Sequence, residues 1–189
     1  ARNIKRWLQR PLSGFVLGTS NGEQLALSED EKVETVSTVH VAHGGQRFIV
    51  AGIDSQSVTE TLPLGDRFAA ARVDLLRVRV PWGLPPSAVE EYFHQVTERA
   101  PKPVVVIHQT FTGAQAAPPE VLGALFHFDN VFGYITNHDI RFEARVRPHV
   151  PDGRRFWICN SGPLNVGVLM GANGACMWLA NVASALCMD

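Results

Sequence analysis

Short apolar runs alternate with stretches of helical periodicity along the whole chain, and that alternation leaves few folds open. The runs fall at residues 15–18, 48–52, 73–80, 103–107, 131–135, 156–159 and 174–179. Their β-branched character is clearest in Pro103-Val-Val-Val-Ile107, an unbroken run that suits a strand buried on both faces. Between the runs lie helical patterns over residues 2–10, 28–42, 57–71, 87–99, 118–126, 139–147 and 164–170. The second begins with Ser28 as N-cap, Glu31 three residues on and acids in the first turn, and continues an apolar face through Val33, Val36, Val39 and Val41. In the fourth, Val89, Phe93 and Val96 share a face.

Strict alternation predicts a parallel sheet, either an open doubly wound sheet or a (β/α)8 barrel. A dinucleotide fingerprint is absent, because Gly171-Ala-Asn-Gly174 is too short and precedes a strand. The barrel is favoured by polar residues just after many strands: Thr19 to Glu23, Asp54 to Ser57, Pro81 to Gly83, His108 to Thr112, Thr136 to Asp139, Asn160 and Ser161, and Asn181. In a barrel those ends share one rim, where chemistry is built. Seven strands are one short of closure, and such barrels usually need roughly 250 residues. The expected fold is a single α/β barrel domain over residues 1–189, incomplete in this chain.

Composition narrows the function. A net charge of -1 gives no electrostatic reason to expect nucleic acid or an anionic membrane surface. No apolar run approaches the ~20 residues of a membrane span, and no signal peptide is visible. Cys159, Cys176 and Cys187 are odd in number and lie in or beside apolar stretches. They read as reduced, buried thiols of a cytoplasmic protein, and their spacing does not match a zinc site.

The first strand ends in Thr19-Ser-Asn-Gly-Glu23, which brings hydroxyls, an amide and backbone N–H groups to one place. Ser20, Asn21, Gly22 and Glu23 are therefore candidate ligands for a small carboxylate. The alternative is a plain turn in which Ser20 or Asn21 only satisfies nearby backbone.

Gly14-Phe-Val-Leu-Gly-Thr-Ser-Asn-Gly-Glu23, followed by Leu27, Ser28 and Glu31, resembles the second strand and loop of the dihydrodipicolinate synthase / N-acetylneuraminate lyase superfamily. The Ser-Asn-Gly-Glu form is most similar to 4-hydroxy-2-oxoglutarate aldolases. The resemblance continues in order through Val50-Ala-Gly52, Val73-Asp74, Val80-Pro81, Pro103-Val-Val-Val106, Asn130-Val-Phe-Gly133, Gly171-Ala-Asn-Gly174 and Ala180-Asn181-Val182. It implies a TIM barrel without its first strand and without the C-terminal helices. It also implies a homo-oligomer, usually a tetramer, acting on a small 2-oxo acid and needing no cofactor or metal.

The superfamily's chemistry is a Schiff base between a lysine and a 2-oxo acid, commonly pyruvate, in which a desolvated amine is the nucleophile. The lysine lies two residues after the glycine that matches Gly133, and here that residue is Ile135. The chain's lysines, Lys5, Lys32 and Lys102, all read as lying outside the strand ends. The tyrosine that relays protons is matched by His108, and a second tyrosine is lost in Pro81-Trp82-Gly83. The family's carboxylate-binding pair maps to Ser20 and Asn21. The expected protein is thus a pseudoenzyme of the lyase superfamily that keeps a carboxylate pocket.

Two alternatives accompany it. One is a C–C lyase or hydratase that uses His108 as acid/base, with His138 and Asp139 as a possible two-histidine-one-carboxylate set. The other is a non-catalytic scaffold or partner subunit. His108 also has a plain reading, as a space-filling, hydrogen-bonded substitute for the tyrosine. His40 and His43 read as a helix-end pair rather than a metal site, and Trp82 as a rim or core aromatic. Arg77 and Arg79 alternate with apolar residues on a strand, and buried there they need acidic partners.

Overall fold

The computed structural model describes residues 2–109, 116–137, 139–159 and 164–187. Seven parallel strands lie in one curled sheet in the order of the chain. They are β1 (Gly14–Leu17), β2 (Phe48–Ile53), β3 (Leu75–Arg79), β4 (Val104–Ile107), β5 (Val131–Thr136), β6 (Arg155–Ile158) and β7 (Gly174–Ala175). Between them run α2 (Glu29–His43), α3 (Val58–Ala70), α4 (Pro86–Arg99), α5 (Pro119–Ala124), α6 (Ile140–Val146) and α7 (Leu164–Leu169). The ends of the chain carry α1 (Arg2–Trp7) and α8 (Ala180–Ala183). This is the expected incomplete TIM barrel: strands within, helices without, and β1 and β7 as edges among the described residues.

Two apolar layers hold it together. The outer layer joins helices to the backs of the strands through Val36, Phe68, Phe93, Leu125, Tyr134 and Phe156, among others. The inner layer fills the barrel with Val50, Leu75, Val105, Ile107, Ile135 and Trp157. Strand alternation sorts the residues: on β4, Val104 and Val106 face the helices while Val105 and Ile107 face inward.

The local devices follow the sequence. At α2 the Ser28 N–H donates to Glu31 Oε2 at 2.8 Å and the Glu31 N–H donates to Ser28 Oγ at 3.3 Å, a reciprocal capping box. The helix ends at Gly44 in the left-handed conformation, φ 59°. His43 is buried there, and its Nδ1 accepts the Arg47 N–H at 3.3 Å, so it ties the turn together. Burial, and secondarily the neighbouring His40, hold the His43 imidazole below its ordinary pKa.

Some boundaries differ from expectation. β7 is two residues long, not six, because the chain leaves the sheet after Ala175. Val41 is 80% exposed. The buried face of α2 is instead Val36, Val39 and His43. In β1 only Phe15 is buried, and β1 is an edge strand.

Candidate active site

The barrel interior opens into a cavity of about 1240 Å³ whose wall includes Ser20, Arg77, Gln109, Ile135, Asn137 and Cys159. Ile135 sits on β5 at 1% exposure, packed with Val105, Ile107 and Trp157. Ile135 is therefore an apolar part of the interior wall. Lys5 lies on α1 and Lys102 precedes β4. All three thus lie outside the strands, as expected, although Lys32, near the start of α2, lines the cavity.

The strand-end loop forms a single 3-10 turn, Ser20–Gly22, entered from extended Thr19. Thr19, Ser20, Asn21 and Gly22 all line the cavity. Ser20, Asn21 and Gly22 are exposed, and the Gly22 N–H donates to the Thr19 carbonyl at 2.7 Å, so the side chains of Ser20 and Asn21 are the groups that face a ligand. Glu23 follows in the left-handed conformation, φ 57°, and is not part of that wall. The structure thus brings together three of the four predicted loop residues.

His108 is positioned otherwise. It continues the helix-facing parity of Val104 and Val106 and is fully buried. Its Nε2 accepts the Ala116 N–H at 3.1 Å and the Ala117 N–H at 3.4 Å. Its ring stacks on Phe142 with centroids 4.6 Å apart and planes 14° from parallel. It joins β4 to α5 and α6 and is not on the cavity wall. Asp139 caps α6, its Oδ1 accepting from Arg141 N at 2.9 Å and Phe142 N at 3.2 Å. His138, the loop from Thr110 through Gly113, and Asn160 with Ser161 lie outside the described residues. Among the described residues no group of three histidines, cysteines or acids is arranged to hold a metal ion.

Behind β5 lies a second buried polar group. Glu143 of α6 is 2% exposed, and its Oε1 accepts the Asn137 N–H at 3.0 Å. Burial, and next the charge of Glu143, push the Tyr134 phenol well above its usual range.

The arginines have the partner that sequence reading left open. Arg77 and Arg79 share the inward parity of Leu75 and are each 2% exposed. Arg77 Nη2 donates to Asp54 Oδ1 at 2.6 Å, and Arg79 Nη2 donates to Asp54 Oδ2 at 2.7 Å. One carboxylate thus bridges two buried guanidiniums inside the barrel. Burial, with Arg77 as a lesser contributor, lowers the Arg79 pKa against the pull of Asp54. Trp82 is half-exposed at the rim, with the Arg79 guanidinium carbon 5.7 Å from its ring centroid. Register held the missing signal: Ile53 pairs with Val78, so the next residues along, Asp54 and Arg79, come together.

Comparison with known proteins agrees with this architecture. The chain is 22% identical to 4-hydroxy-tetrahydrodipicolinate synthase of Exiguobacterium sp., covering 95% of this chain and 65% of that protein. It is 27% identical to the enzyme of that name from Symbiobacterium thermophilum, covering 85% and 56% respectively. The chain therefore spans about two thirds or less of the relatives it matches. Among solved structures, a dihydrodipicolinate synthase family protein from Coccidioides immitis superposes with a TM-score of 0.87 at 22% identity, covering 98% of this chain and 61% of that one. N-acetylneuraminate lyase from Mycoplasma synoviae gives 0.83 at 21% identity, covering 99% and 66%. At these identities the superpositions establish the barrel. Membership rests on the family model, which matches residues 1–188: the chain belongs to the dihydrodipicolinate synthetase family.

Proposed function

We propose that this protein is a pyruvate-type aldolase barrel that binds a small 2-oxo acid or related carboxylate without forming a Schiff base. The observation that carries the reading is Ile135, buried among Val105, Ile107 and Trp157 where the resemblance expects the nucleophilic amine. An isoleucine has no lone pair to attack a carbonyl carbon. The loop at Thr19, Ser20, Asn21 and Gly22 brings the side-chain donors of Ser20 and Asn21 to the cavity wall and is the carboxylate site in this reading. The buried bonds of His108 to Ala116 and Ala117 support a role in holding the loop-to-helix junction.

The reading includes a homo-oligomer in a reducing, cytoplasmic compartment. Exposed Val168, Leu169, Val182 and Leu186 on and near α7 and α8 support association, and the unpaired Cys159, Cys176 and Cys187 support the compartment. Among the described residues no helix is long and apolar enough to cross a membrane.

The test is a thermal-shift titration with a panel of 2-oxo acids, beside a Ser20→Ala/Asn21→Ala variant. Stabilisation that grows with ligand and vanishes in the variant supports the loop as the binding site. No shift with any acid sinks the reading.

A further inference from the structure

Arg77 is the one charged side chain on the cavity wall that is both almost fully buried and held there by an acid, among the described residues. Its Nη2 is committed to Asp54, but its Nε is buried with no hydrogen-bond partner. A buried guanidinium N–H left unpaired is costly, and charged donors are the strongest kind when an acceptor arrives. Asp54 spends one carboxylate oxygen on Arg77 Nη2 and the other on Arg79 Nη2, and neither of these bonds reaches the Arg77 Nε. The fold keeps space for this guanidinium. A Cβ on Gly52 would stand 2.7 Å from Arg77 Nη2 and 3.1 Å from Nε. Across the barrel lie Cys159 and Cys176, close enough for the Arg77 charge to favour their thiolates, against a burial that pushes Cys176 up to about 12.

We propose that Arg77 is an anion-binding residue inside the barrel, deeper than the loop at Ser20 and Asn21, which pairs with an anionic oxygen of the bound carboxylic acid. This rests on the small-acid reading above and adds a second anchor to it. Ion pairing in the lumen then supplies the hold that a covalent lysine link gives in the resembled enzymes. The site takes a small acid and rejects its neutral amide, because only the anion gives the buried Nε–H a charged acceptor.

The experiment uses the intact protein with 15N-labelled arginine, titrated with pyruvate and, separately, with the neutral pyruvamide. The Arg77 Nε–H resonance, assigned by its loss in Arg77→Lys, should move with pyruvate and stay still with pyruvamide. Affinity for pyruvate, read by calorimetry, should fall at least about tenfold in Arg77→Met, as expected for a charged hydrogen bond. If Arg77→Met does not fold, Arg77→Lys and the wild-type resonance decide. Pyruvate binding that survives Arg77→Met and leaves Nε–H unmoved, yet is lost in Ser20→Ala/Asn21→Ala, overturns the inference and keeps the loop. Binding lost in Arg77→Met but retained in the loop variant supports the inference and overturns the loop. An absence of pyruvate binding to the wild type overturns both.

Discussion

Arg77 lies against Gly52 on the neighbouring strand, paired with it in register, so that any side chain at residue 52 would occupy the place of the guanidinium. The same Cβ would also stand 2.5 Å from the carbonyl of Gly18, the residue that follows β1. Glycine at 52 thus lets three strands approach while the middle one leaves room for a buried cation. Gly52→Ala must shift either backbone or Arg77. Overpacking of this kind costs about 1–3 kcal/mol, which for a chain of this size lowers Tm by roughly 2–4 °C per kcal/mol. A thermal melt of Gly52→Ala checks this, and an unchanged Tm would mean that Arg77 has other space to occupy.

Asp54 is the counter-charge for both interior arginines. Asp54→Asn keeps the shape and removes the charge that both guanidiniums pair with. Removing one partner of a buried ion cluster costs about 3–5 kcal/mol. Adding Arg79→Met to Asp54→Asn should recover part of that loss, because it removes one of the two buried cations that Asp54 paired with. Urea denaturation of the single and double variants tests both steps. A double variant less stable than Asp54→Asn would show that Arg79 contributes through packing on Trp82 rather than through its charge.

These relationships mark the limit of what the sequence makes legible. The alternation of runs such as Pro103-Val-Val-Val-Ile107 with helical periods identifies a parallel α/β sheet, because each pattern is local. The capping box at Ser28 and Glu31 is legible for the same reason. The partner of Arg77 and Arg79 is not, since it depends on the register between β2 and β3, which no local pattern states. Parity does show that the two arginines share a side. Counting the same parity along β4 puts His108 with Val104 and Val106, away from Val105 and Ile107, and so on the helix side. Val41 departs from the expected apolar face because it falls two residues beyond Val39, off the face that continues to His43.

Borohydride reduction in the presence of pyruvate should leave the protein's mass unchanged. A Schiff base needs a neutral amine at the carbonyl, and the interior position carries Ile135. Lys32 is the lysine to watch, because it alone of the three lines the cavity. Intact mass spectrometry with peptide mapping distinguishes the outcomes. An adduct on Lys32 that disappears in Lys32→Met would show that the amine has migrated from strand to helix, and covalent chemistry would return to the mechanism.

The two tyrosines offer a readout of the core at high pH. Tyr92 is 4% exposed, with its hydroxyl 2.7 Å from Thr61 Oγ1, and burial pushes its phenol up to about 12 against the opposing effect of that hydrogen bond. Tyr134, buried beside Glu143, is pushed in the same direction. In the unfolded chain both ionise near the ordinary value of about 10. The folded state therefore binds more protons than the unfolded state above that pH, and stability falls as pH rises past it. The contribution is intact below about pH 10 and is lost as pH climbs through the raised folded values. Tyrosinate absorbance followed from pH 8 to 12.5 should stay low until the far-ultraviolet circular dichroism signal is lost, and then rise in the same transition. Absorbance that climbs near pH 10 while the circular dichroism holds would mean that a phenol reaches water in the folded barrel. Tyr92→Phe would then show which of the two it is.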